Sequence, residues 1–384
     1  MIKRLLVFVT LGLCASLTQS VYAQSTSHQS SQYKFNAVTF ASGLENVWGM
    51  DFLPSGDMLV TERPGRLRII RNGILLKDSV PGIPEVNARG QGGLLDVALH
   101  PNFATNHLIY FSYSKPREEG ATTAVARGKF ENDAVLGLED IFVANTKGGG
   151  HYGSRLAFDN DGYLFVTVGD RQASPTGDLE AHPAQDISNH HGTVNRIHDD
   201  GSIPTDNPFV DQESAEPSIW SFGHRNPQGL TIDRATGNIW ATEHGPQGGD
   251  ELNLIKKGAN YGWPVIGEGV NYGGDVIHAT TRREGMEPPI HYWVPSIATA
   301  GALFYSGDRF PKWNGNIFVG GMVGQQVARL TMDGQNVTSE ETLFSNEGRI
   351  RNIRQGPDGY IYLGIDGAAD KAGIIRLEPA NPNN

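Results

Sequence analysis

One pattern recurs six times along this chain: an alternating apolar strand, a tight turn, and a second apolar strand. It reads GMDFLPSGDMLVTE from Gly49, GLLDVALHPNFATNHLIYFSYS from Gly93 and GSRLAFDNDGYLFVTVGD from Gly153. It returns as GLTIDRATGNIWATEHG from Gly229, GALFYSGDRFPKWNGNIFVGG from Gly301 and IRNIRQGPDGYIYLGIDG from Ile350. Most of the turns are built on Ser-Gly-Asp, Asn-Asp-Gly, Thr-Gly-Asn, Asn-Gly-Asn and Pro-Asp-Gly, residues that accept positive φ or preset a hairpin. Such hairpins, spaced 44 to 76 residues apart, predict an all-β fold, a six-bladed β-propeller with long inserted loops on one face. Further strands are expected at Arg66–Arg71, Ala124–Phe130, Gln326–Met332 and Gly373–Leu377, and no run reads as an amphipathic helix. A β-sandwich is the competing architecture; six copies of one unit favour radial repetition.

The N-terminal stretch carries a different message. Lys3 and Arg4 precede an apolar run from Leu5 to Leu17, and Val21-Tyr22-Ala23 is a small-residue cleavage site, so residues 1–23 read as a signal peptide. The run is too short to span a bilayer, and membrane insertion is not expected. Residues 24–34 (QSTSHQSSQYK) read as a flexible polar arm, and 35–384 as a single propeller domain. The lone cysteine, Cys14, lies inside the leader, so neither disulfides nor thiol chemistry is available after cleavage. The formal charge of −11 becomes −13 when Lys3 and Arg4 leave, which argues against nucleic acid as a partner. These features predict a periplasmic protein; its oligomeric state, monomer or dimer, stays open.

The long insertions fall at 171–218 and 266–292, where they should wall one mouth of the ring. Common cofactor and hydrolase signatures are missing: no GxGxxG after a strand, no HExxH, no GxSxG. His151 follows three glycines, which would let backbone approach a ligand and leave the imidazole accessible for general-base work. Asp170 ends the same hairpin and can orient that ring; capping a turn is its plainer role. Gly245-Pro246 offers two carbonyls in a turn, a start on a hard-cation site, or simply a turn. Glu251 and Tyr261 could pin a second cation. Arg225-Asn226 and the period-2 pair Arg349/Arg351 place guanidinium forks at repeat starts, suited to a polyanion or to surface ion pairs. His190-His191 reads as structural.

Seven segments together resemble the soluble, PQQ-dependent glucose/aldose sugar dehydrogenases. They are QGGLLDVALHP, HYGSRLAFDNDGYLFVTVGD, DDGSIPTDNPF, GHRNPQGL, EHGPQGGDELN, NYGWP and RIRNIRQGPDGYIY, spread in order over the whole chain after the leader. The resemblance implies a six-bladed propeller holding pyrroloquinoline quinone (PQQ) and Ca2+, which oxidises an aldose sugar to a lactone and returns electrons to an external acceptor. It implies His151 as general base supported by Asp170. Gln91, Arg225, Asn226, Tyr272, Arg349 and Arg351 are implied as PQQ contacts, with Arg225 also stabilising developing negative charge. Gly245 and Pro246 are implied as carbonyl ligands of the active-site calcium, and Glu251 and Tyr261 as a second calcium site. Two positions depart from the family. Val323 stands where a PQQ-binding lysine is usual, which should weaken cofactor binding. His244 stands where glucose dehydrogenases have glutamine; protonated, it would compensate for the lost cation, and otherwise it would alter substrate choice. Two other functions share the scaffold: a calcium-dependent sugar-lactone hydrolase, which leaves the arginines unexplained, and a non-catalytic binding propeller.

Overall fold

Each of the six sequence repeats forms the two inner strands of one antiparallel sheet. In the computed structural model, which describes residues 25–380, the sheets lie at 47–75, 94–143, 156–221, 227–293, 299–343 and 349–379. The four further strand segments also appear, at Arg66–Arg71, Ala121–Glu131, Gln326–Asp333 and Ala372–Pro379. Among the described residues the helical content is one four-residue α-turn and three short 3-10 turns. No described helix is long and apolar enough to cross a membrane. Residues 1–23, read above as a signal peptide and containing Cys14, lie outside the described residues.

Neighbouring sheets meet face to face, and buried aliphatic and aromatic side chains fill each junction. Leu94, Val97 and Phe111 of the second sheet pack with Leu59 and Ile69 of the first; Phe165 and Val194 of the third pack with Leu230 and Ala241 of the fourth. The ring closes through its termini. Lys34–Leu44 pairs antiparallel with the last strand, Ala372–Pro379, and becomes the fourth strand of the sixth blade.

Two expectations are corrected here. The polar stretch 24–34 is not a free arm, because Ser25–Gln29 pairs with residues 34–38 as a fifth, edge strand. An edge strand with solvent on one side tolerates Ser, Thr and Gln, and His28 anchors it by stacking on Phe35, 5.4 Å between centroids. The stretch 171–218 is not one insertion either. Thr193–Ile197, entirely buried, is the third strand of the third blade and divides it into two loops.

The innermost strands of the six blades surround the axis, and the axis is filled. Arg155, 2% exposed, lies over the Trp48 ring at 4.2 Å and donates to Asp96 Oδ1 (3.1 Å) and the carbonyls of Gln228 (2.9 Å) and Arg351 (3.3 Å). One side chain thus links strands of blades one, two, three, four and six. Burial pushes its guanidinium down to about 10, with Asp96 opposing, so it stays charged at neutral pH.

Closure of the ring supplies a test. Phe35 is fully buried against Trp313 at the joint, so Phe35→Ala should cost about 3–5 kcal/mol in chemical denaturation. Deleting residues 24–32, which leaves that joint intact, should lower Tm by only a few degrees. Equal losses would show that the edge strand, not the joint, holds the ring.

Candidate active site

The loops that precede the innermost strands gather at one mouth, and the candidate residues gather with them. His151 sits just before the third blade, in the left-handed region at φ 40°. Its Nδ1 lies 2.6 Å from Asp170 Oδ1, and its backbone N–H donates to Gln91 Oε1 at 2.8 Å. Asp170 is 1% exposed, and its second oxygen accepts from the Trp263 indole at 2.8 Å. The Asp170 N–H donates to the Arg225 carbonyl (2.8 Å), which ties the third blade to the fourth. Asn226 Oδ1 accepts from Gly153 N–H (3.1 Å) across the same joint.

The electrostatics of the pair follow from these contacts. Burial lowers the His151 imidazole below its ordinary value, Asp170 opposes, and the Arg225 and Arg171 charges add to the lowering. Burial pushes the Asp170 carboxyl up, but the hydrogen bond and charge from His151, the Arg225 charge and the Gln172 N–H outweigh it. The pair therefore rests as neutral imidazole beside carboxylate, the form a general base needs.

The three-glycine lead behaves differently from expectation. A Cβ on Gly148 would meet the Arg171 carbonyl at 2.2 Å, and one on Gly150 the Gln172 side chain at 2.4 Å; only Gly149 faces open space. The glycines let the chain approach itself, and His151 is left only 8% exposed rather than freely accessible.

Opposite the dyad, Arg225 donates to the carbonyls of His244 (3.1 Å) and Gly245 (2.8 Å), and its guanidinium lies 5.2 Å from the Trp263 ring centroid. Gly245 cannot be another residue, because a Cβ there would sit 2.3 Å from Gly249 backbone. Its N–H is held by Asp250 Oδ1 at 2.9 Å, which fixes the turn that presents the Gly245-Pro246 carbonyls. Behind it, Glu243 accepts from Arg225 N–H (2.6 Å) and from Asn253 (2.8 Å), whose amide also reaches Glu251 (3.0 Å). Burial raises the Glu251 carboxyl well above the ordinary range, and the neighbouring Glu243 charge raises it further. Arg225, His244, Gly245, Pro246, Glu251 and Tyr261 all border one cavity of about 20 Å³, room for an ion or a water.

Arg349 and Arg351 do share a face, since both reach Asp366 Oδ2, at 3.8 and 2.9 Å. Arg351 also donates to Gln228 (2.6 Å) and is buried; Arg349 is 45% exposed and touches the Met322 sulfur at 3.8 Å. Val323, next to that contact, is 66% exposed. Tyr272 is not drawn into the cluster: it is 72% exposed on the long loop of the fourth blade. His244 does not supply the missing cation. Burial, then the charges of Arg351, Arg225 and His151, hold its imidazole well below the ordinary value, so it is neutral. His190 is structural as read, accepting from Asn145 N–H at 2.9 Å.

The site fits the groups that the sequence implies. Buried Nε nitrogens of Arg225 and Arg351 have no hydrogen-bond partner, an arrangement that suits an anionic or accepting ligand. Among the described residues no three acidic, His or Cys side chains form a cage, so a cation here would rest largely on backbone carbonyls. Trp263, Glu243 and Asp366 were not singled out by sequence reasoning, although Trp263 and Glu243 lie inside the motifs NYGWP and EHGP.

Comparison with known proteins identifies the family. Residues 44–376 match the family model for Glucose / Sorbosone dehydrogenase. The aldose sugar dehydrogenase YliI of Escherichia coli is 39% identical over 355 residues, 90% of this chain and 93% of that protein. The crystal structure of the soluble aldose sugar dehydrogenase from Escherichia coli in the apo-form superposes with a TM-score of 0.84 at 37% identity, covering 90% of this chain and 100% of the other. A PQQ-bound aldose sugar dehydrogenase from Streptomyces coelicolor gives 0.73 at 26% identity, covering 93% and 99%. The chain belongs to the glucose/sorbosone dehydrogenase family.

Proposed function

We propose that this protein oxidises the anomeric carbon of aldose sugars to lactones in the periplasm, with PQQ as hydride acceptor and Ca2+ beside it. The observation that carries the reading is the convergence at one mouth of a neutral, carboxylate-backed imidazole, a carbonyl turn and three arginines. In this reading residues 1–23 direct export and are removed, and an external acceptor takes up the electrons.

Each residue has a physical task. His151 takes the proton from the anomeric hydroxyl on Nε2, because Nδ1 faces Asp170. Asp170, itself anchored by Trp263, keeps that tautomer and stabilises the imidazolium that forms. Arg225 stands where negative charge develops; Glu243 holds its backbone N–H and the His244 carbonyl its guanidinium, while its contact with the Gly245 carbonyl would be shared with or yielded to the cation. Gln91, Asn226, Arg349 and Arg351 would hold the cofactor, the arginines pairing with its carboxylates. Gly245 and Pro246 would donate carbonyl oxygens to the catalytic calcium, and Glu251 with Tyr261 would serve a second one, where a cation would offset the burial that disfavours the Glu251 carboxylate. When bound, PQQ supplies the two-electron sink and calcium a Lewis acid.

The direct test is to mix the protein with PQQ, Ca2+, an aldose and a redox dye. Dye bleaching that needs all three additions is expected; folded protein that bleaches no dye with any aldose would remove the reading. His151→Gln should lower kcat by about 10²–10⁴ and leave PQQ binding intact. The acid limb of kcat/KM should lie below the ordinary histidine value of about 6.5, because the base is lost only when pH falls through its depressed value; a limb above 6.5 would contradict the burial argument. Val323→Lys should tighten PQQ binding about tenfold, the worth of one added charged hydrogen bond. An unchanged affinity in a titration of the cofactor-free protein would show that Arg349 and Arg351 already meet the need.

A further inference from the structure

Arg171 follows the dyad's aspartate and has no role in the chemistry described so far. It is 1% exposed and adopts the left-handed conformation, φ 60°. No carboxylate forms an ion pair with it among the described residues. Its guanidinium lies 3.6 Å over the Tyr152 ring and donates instead to three backbone carbonyls: Gly150, Gly148 (2.9 Å) and Ala121 (3.0 Å). Two of these belong to the glycine lead into His151, and Tyr152 is the residue that follows it.

A buried cation held only by carbonyls, with its Nε left without a partner, is costly, and glycine-rich backbone has much conformational entropy to lose. The lead would otherwise be free to wander, since His151 sits at a positive φ that a non-glycine residue adopts reluctantly. The hydrogen bond from His151 N–H to Gln91 Oε1 holds the loop from one side. The fork of Arg171 holds it from the other, and the stack on Tyr152 fixes the residue beyond.

We infer that Arg171 is a positioning residue for His151, clamping the Gly148–Gly150 carbonyls so that the imidazole meets Asp170 in the productive pose. The inference rests on the proposed general-base role of His151. Lysine is a poor substitute, because one ammonium cannot span three carbonyls as a planar fork does. The charged and titratable groups around His151 are Asp170, Arg225, Arg171 and His244; among them Arg171 favours the unprotonated base.

The test compares Arg171→Gln, Arg171→Lys and His151→Gln as full-length folded proteins. Arg171→Gln should lower kcat by about 30-fold or more with KM within a few-fold, the scale of misplacing a reacting group by about 1 Å. It should also move the acid limb upward, since a positive charge near the base is gone. Arg171→Lys should lose kcat with a smaller shift of the limb, because the charge remains. In the cofactor-free protein, amide hydrogen exchange across residues 148–152 should speed up in both variants. If Arg171→Gln fails to fold, Arg171→Lys carries the same readouts. Should His151→Gln keep full activity, the general-base reading falls. Should it lose activity while the Arg171 variants keep wild-type kcat, limb and exchange, the clamp is wrong and the base stands. A lowered Tm with unchanged kcat would make Arg171 merely structural.

Discussion

The buried pair of Asp96 and Arg155 on the axis is the contact on which the site's geometry depends. A propeller is a ring of sheets that touch only their neighbours, so groups from blades three, four and six could drift relative to one another. Arg155 prevents this by bonding to carbonyls on two of those blades from a third, while Asp96 also accepts the Leu156 N–H at 2.9 Å. A buried ion pair is poor evidence of net stability; its value here is register. Because the Arg351 carbonyl is one of its acceptors, the position of Arg351 at the mouth is set by a residue on the opposite wall.

The same logic runs through the site at shorter range. Asp170 is held at once by His151, Trp263, Gln172 and the Arg225 backbone, so its orientation is over-determined. Glu243 does likewise for Arg225, accepting from His224 as well (2.9 Å). Asp170 and Arg225 are thus each fixed by several neighbours in advance of any ligand, the preorganisation that the proposed chemistry would use.

Much of this was legible in the sequence, and the part that was not has a common cause. The hairpins could be read because turn chemistry is local: Asn-Asp-Gly at 160–162 bends the chain whatever surrounds it. The dyad could be suspected because His151 and Asp170 bracket one hairpin. By contrast, the indole on Asp170 comes from residue 263 and the carboxylate on Arg351 from residue 366, and no pattern in either neighbourhood announces such a partner. Burial decides charge, too: His244 beside two arginines is neutral, although its place in the motif invited a cation. The glycine triplet shows the limit most plainly, since the space that its missing side chains leave is filled by Arg171 and Gln172 of the chain itself.

The joint that seals the ring has a kinetic corollary. Apart from its short hairpin with 25–29, the strand at 34–44 finds its partner in the last strand of the chain, and even its neighbour Ser31 bonds to Glu341, 310 residues away. Loop-closure entropy makes contacts of that span late ones. Until the far end of the polypeptide is available, the sixth blade has only its outer strands, and 34–44 offers an unpaired edge to any passing chain. A protein of this design is thus most vulnerable to aggregation in the interval between the making of its first strand and the arrival of its last.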